Sequence, residues 1–125
     1  MKPVIQEGRS DCFRACVASI LELPLATVPD ADGADWLDGY NTWLAARGLA
    51  LVVVPPSGGV IPQGYAIGVA NAGSPDRDHA VVLHDGKIVH DPSPLVRPLG
   101  TWAWGAVFAA LDPAGVPISP GGGGE

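Results

Sequence analysis

Four residues of this chain, taken in order, have the chemistry of acyl transfer: Gln6, Cys12, His79 and Asp91. A thiol attacks as thiolate, so a nucleophilic cysteine needs a depressed pKa, which the unpaired N–H groups and macrodipole of a helix N-terminus provide. Cys12 stands at such a start. Phe13, Cys16, Val17, Ile20 and Leu21 recur at i, i+3, i+4, i+7 and i+8 as one apolar stripe, and Ser10 or Asp11 can cap the helix. At about 100° per residue, Cys16 falls inside the stripe and Cys12 at its edge, which makes Cys16 the core thiol and Cys12 the accessible one. A thiolate also needs an imidazole held in the right tautomer. His79 opens a strand and Asp91 ends the next, and the Gln6 amide with the Cys12 backbone N–H can donate to a developing oxyanion. Each residue has a plain alternative: a small half-buried hydrophobe for Cys12, a strand-end histidine for His79, a turn former before Pro92 for Asp91.

The elements that must hold these residues follow from periodicity and breakers. The first helix is predicted over residues 12–23, ending before Pro24. Asp35 caps a second helix carrying Trp36, Leu37, Tyr40, Trp43 and Leu44, which ends at Arg47 and the left-handed candidate Gly48. Leu49–Val54 reads as a buried strand closed by Pro55-Pro56. Tyr65, Ile67 and Val69 alternate with Ala66, Gly68 and Ala70, a strand whose small face could lie close under a helix. Residues 79–84 and 87–91 flank Asp85-Gly86 as a hairpin, and 102–111 favour a last strand.

Hairpin register decides whether His79 and Asp91 meet. A two-residue loop, Asp85-Gly86, pairs His84 with Lys87 and sends His79 and Asp91 to opposite faces, leaving His90 as the rival base. A three-residue loop, His84-Asp85-Gly86 with a glycine bulge, pairs Leu83 with Lys87 and sets His79 opposite Asp91. The expectation is the three-residue loop.

With 125 residues, 47% of them hydrophobic, the chain suits one domain, taken as residues 1–112, followed by a Pro/Gly-rich flexible tail over 113–125. Thirteen acidic against seven basic residues, net −6 and without a basic cluster, argue against nucleic acid. The aliphatic run at 49–54 is too short for a membrane span and the N-terminus lacks a signal-like apolar stretch, so a cytoplasmic protein is expected. Two cysteines at i, i+4 would close only a tiny loop and are read as free thiols.

Gln6 six residues before Cys12, Asp11-Cys12, Ala15-Cys16, then Asp78-His79-Ala-Val-Val-Leu and Asp91-Pro92 resemble the C39-type cysteine peptidases, papain-like domains that cleave leader peptides of exported bacterial peptides. The resemblance spans roughly residues 4–95, with Phe13 standing where the family usually has glycine. It implies an α+β papain-like fold, a nucleophile helix packed on an antiparallel sheet. It also implies Cys12 as nucleophile, His79 as general base and acid, Asp91 as its orienter and Gln6 in the oxyanion hole. The substrate would be a peptide or amide bond, and no metal or organic cofactor is implied. Competing readings are a non-catalytic peptide or ligand binder on the same fold and an acyl transferase using the same triad. A zinc site from Cys12, Cys16, His79, His84 and His90 is weaker, since no CxxC knuckle is present. Glu7, Arg9 and Arg14 are read as a solvated rim, and His84 and His90 as ordinary hairpin residues.

Overall fold

A computed structural model describes residues 1–8, 11–30, 33–55, 63–71, 78–93 and 102–112. Two helices, α1 (Cys12–Leu21) and α2 (Trp36–Ala45), pack on a five-stranded antiparallel sheet, an α+β arrangement. The strands are β1 (Leu49–Val54), β2 (Tyr65–Asn71), β3 (Asp78–His84), β4 (Lys87–His90) and β5 (Trp102–Ala110), in the order β1-β5-β2-β3-β4. A single 3₁₀ turn, Leu25–Thr27, follows α1. The expected tail over 113–125 lies outside the described residues. Among the described residues no helix is long and apolar enough to cross a membrane.

Helix α1 stops at Leu21, two residues short of the expected end, because Glu22 turns into the left-handed region at φ 58° and Leu23 N–H closes back on Ala18 O. Its burial is broader than one stripe. Ala15, Ala18 and Ser19 are as buried as Cys16 and Val17, so α1 runs through the core with small side chains on the flank that other elements approach. Ser19 shows what approaches: its Oγ donates to Ala15 O (2.7 Å) and accepts from Val4 N–H (2.9 Å). The N-terminal segment thus lies along α1. Its other side is fastened beyond β4, where His90 Nε2 donates to Val4 O (2.8 Å) and Gln6 N–H to Pro92 O (2.9 Å).

Helix α2 covers the edge strand β1. Asn41 Oδ1 accepts the Leu51 N–H (2.7 Å), which satisfies a backbone donor that an edge strand would otherwise leave open. Tyr40 and Leu44 are buried, and Gly48 takes the left-handed conformation expected of it at φ 73°. Ile67, Val69, Ala80, Val82 and Ala106 form the sheet face against the helices. The small face of β2 therefore does not lie under a helix, as the alternation suggested. It is Trp102 that crosses Gly68, so close that a Cβ there would stand 2.6 Å from the indole.

Candidate active site

The chemistry collects where the start of α1 meets the start of β3. Asp11 occupies the N-cap position, but its carboxylate makes no capping bond; it accepts from Gly8 N–H (3.0 Å) and pairs with Arg14 (3.6 Å). The Asp11 side chain therefore leaves the first-turn N–H groups beside Cys12 uncapped by it. Ser10, the other expected cap, and Arg9 lie outside the described residues. Arg14 is no solvated rim residue: its Nε donates to Val28 O (2.7 Å) and its guanidinium sits 3.6 Å from both Asp11 and Asp30. That clamp holds the first turn to the segment after α1.

Cys12 is half-buried and Cys16 wholly buried, and both are free thiols. Burial alone would push the Cys12 thiol up. Hydrogen bonds with the His79 imidazole and with the Ala80 and Phe13 backbone, together with the imidazolium charge, outweigh burial and hold its pKa below the ordinary 9.0. Cys16 goes the other way, far above that value, because burial is met by no compensating donor and the nearby charges of Cys12 and Asp91 add to it. The hydrogen bond with Cys12 is the largest influence raising the His79 pKa; burial opposes it, and the bond and charge of Asp91 add to it. The thiol is shifted down and the imidazole up, the two directions that favour proton transfer from Cys12 to His79.

His79 Nε2 donates to Asp91 Oδ1 at 2.6 Å, leaving Nδ1 as the ring nitrogen for the thiol. The same Asp91 oxygen accepts the Ser93 N–H (2.9 Å), which fixes the carboxylate. The two residues meet by a route other than the one expected. The hairpin loop is two residues, with Asp85 and Gly86 both at positive φ (52° and 83°) and His84 paired with Lys87, so the three-residue loop is wrong. Asp-Gly accommodates both left-handed positions without a third residue. Parity is restored farther along: Leu83 pairs with Ile88 but Val82 with His90, so Val89 is an extra residue, a bulge on β4. That one-residue shift returns Asp91 to the side of His79 and sets His90 opposite Val82. His90, the rival base of an unbulged two-residue register, instead binds the Val4 carbonyl.

Gln6 is held close in sequence to the helix start but makes no hydrogen bond to Cys12. Its Nε2 donates to Gly8 O (2.9 Å), the carbonyl that also accepts the Asp11 N–H (3.2 Å). Its Oε1 is buried without a partner among the described residues. The structure thus brings Cys12, His79 and Asp91 into one chain of contacts and ties Gln6 to the loop that precedes them. Among the described residues no group of three or more His, Cys, Asp or Glu side chains is arranged to hold a metal ion. Of the zinc ligands weighed, Cys16 is sealed in the core, and His84 stands at the hairpin tip.

Sequence reasoning missed the aromatic group next to Cys12. Phe13 packs edge-on against Trp36 (5.3 Å) and Tyr40 (5.7 Å) and tilted against Trp104 (5.6 Å), and Trp36 lies 5.7 Å from Trp104. Helical spacing marks Phe13, Trp36 and Tyr40 as core-facing, but nothing local assigns Trp104 to them. No protein-family model, no curated protein and no solved structure matches this chain.

Proposed function

We propose that this chain is a cysteine-dependent hydrolase of peptide or amide bonds, on a small papain-like domain of the C39 type. The observation that carries the reading is the imidazole of His79, bonded on one side to the Cys12 thiol and on the other to Asp91, with the thiol pKa lowered and the imidazole pKa raised. A merely structural cysteine needs neither partner.

In this mechanism His79 holds the proton of Cys12, and the thiolate forms a bond to the substrate carbonyl carbon. Negative charge gathers on the carbonyl oxygen, where first-turn N–H groups of α1 stand ready as donors. For Gln6 to contribute, its amide keeps one hydrogen on Gly8 O and turns the other to the oxyanion. The imidazolium then gives its proton to the leaving amine as the C–N bond breaks. Water, deprotonated by the same imidazole, displaces Cys12 from the acyl-enzyme and restores the thiol. Asp91 orients the ring throughout.

Alkylation by iodoacetamide at pH 6 tests the reading, because an ordinary thiol of pKa 9.0 is only about 0.1% thiolate there. The expected result is a single adduct on Cys12, formed at least tenfold faster than on the unfolded chain and slowed in His79→Ala. Equal, slow labelling of Cys12 and Cys16 would overturn it and leave a ligand-binding module.

A further inference from the structure

We propose that Trp36 and Trp104 form the wall of an acyl-side subsite, which makes the preferred substrate one with an aromatic or large apolar side chain at the residue whose carbonyl Cys12 attacks. The proposal rests on Cys12 being the nucleophile and names what that site would take.

Ala80, whose backbone bonds the Cys12 thiol, stands opposite Val69, and Val69 stands opposite Trp104. Two strand spacings of about 4.8 Å put the Trp104 backbone about 10 Å from that of Ala80. An indole and a substrate side chain, each reaching inward from its own backbone, close that gap. Trp36 opens α2 and meets the same ring, at 5.7 Å and 40°. Phe13, the residue after the nucleophile, is buried beneath both indoles and joins Cys12 to them through one peptide bond.

Burial separates the two functions within this cluster. Phe13 and Tyr40 are closed off by their neighbours and serve as packing, whereas Trp36 and Trp104 are only half-buried. Indoles that served the core alone would gain by sinking further, since aromatic burial stabilises in proportion to the area removed from water. A half-open aromatic surface packed on the residue that follows Cys12 instead suits a flat or bulky apolar group, which it can hold by offset or edge-on ring packing. Glycine, with no side chain to lay on the wall, gains nothing from it.

The test compares N-acetyl-phenylalanyl and N-acetyl-glycyl chloromethyl ketones, in which the Cys12 sulfur displaces chloride, with iodoacetamide as a reagent that ignores the wall. Each rate is divided by that for glutathione. The expected result is a phenylalanyl-to-glycyl ratio of at least ten on Cys12, falling to near one in Trp104→Ala and in Trp36→Ala. Because the ratio is taken within each variant, a general loss of thiol reactivity cancels; should an alanine variant not fold, Trp104→Leu and Trp36→Leu are read the same way. A wild-type ratio near one with fast iodoacetamide labelling overturns the wall and leaves the nucleophile. A ratio retained in both tryptophan variants also overturns it, since the side chain is then read elsewhere. Slow reaction of Cys12 with all three reagents overturns the nucleophile and the wall together.

Discussion

Strand β3 carries two histidines, each beside an aspartate, at opposite ends. At the hairpin end His84 Nδ1 lies 3.6 Å from Asp85, both about half exposed, with side-chain exposures of 44% and 52%. At the other end His79 bonds Asp91 at 2.6 Å, with exposures of 8% and 32%. Asp85 serves the backbone, accepting the Gly64 N–H at 2.7 Å, and His84 lies against the Tyr65 ring at 4.5 Å. Asp91 serves the imidazole. The difference shows that a histidine and a carboxylate in proximity are not a site; exclusion of water and a third partner, the Cys12 thiol, make the interaction strong and give it something to act on.

The sharpest way to break this contrast is to remove the imidazole at the buried end. In His79→Ala, amide turnover by Cys12 should fall by about 10²- to 10⁴-fold, the usual worth of a positioned general base, in an assay of amine release. The pH profile carries a second signature. Since the folded thiol pKa is lowered, Cys12 alkylation should decline as pH falls through a midpoint below 9.0 in the native protein, and that midpoint should move up toward the ordinary thiol value in His79→Ala. Under the proposed mechanism the imidazolium protonates the leaving amine, so turnover should decline as pH rises through the raised His79 pKa. An unmoved alkylation midpoint would falsify the pairing.

A smaller effect should follow from the bulge. Inserting one alanine between Val89 and His90, with Val89 still the single bulged residue, sets His90 opposite Val81 and Asp91 opposite Ala80, so Asp91 moves to the other parity and loses His79. Asp91→Asn removes the charge while keeping the bulge. Both should slow alkylation of Cys12 at pH 6 by about ten- to a hundredfold, which corresponds to one or two pKa units of lost support for the ion pair. If the insertion folds and alkylates like wild type while Asp91→Asn is slow, the register argument fails.

These residues also mark how far the sequence could be read. The angular separation of Cys12 from Cys16 is a property of one helix, and the structure keeps it: one thiol is half-buried beside the His79 imidazole, the other fully buried. The strand and helix order was legible because each element carries its own periodicity and breakers. The register was not. Lys87-Ile-Val-His90 consists of residues that suit an unbroken strand, and nothing in it marks Val89 as the extra residue. The bulge answers to contacts remote in sequence, where the N-terminal segment takes up His90 and Pro92. Asp11 does not cap for a similar reason: it is engaged by Gly8 and Arg14, and Arg14 in turn by Val28 and Asp30.

Within α1 the same contrast recurs between the thiols. Cys16→Ser should leave the Cys12 alkylation rate within about twofold while lowering stability by about 1 to 3 kcal/mol in denaturant unfolding, since a hydroxyl replaces a thiol where nothing reaches solvent. A stable Cys16→Ser with slowed alkylation would mean instead that Cys16 supports the reactivity of Cys12 directly.

The least effect belongs to the exposed histidine, and its smallness is informative. His84 and His79 stand on one strand, so a general loosening of β3 would be felt from either end, whereas a local ion pair would be felt from one. His84→Ala removes the Tyr65 contact and a long, solvent-screened approach to Asp85, a change worth no more than about 0.5 kcal/mol at a surface position. Alkylation of Cys12 at pH 6 should then match wild type within about twofold. A slowing in His84→Ala comparable to that in Asp91→Asn would mean that β3 positions His79 as a whole strand, and the weight now given to the Asp91 bond would have to be shared with the hairpin.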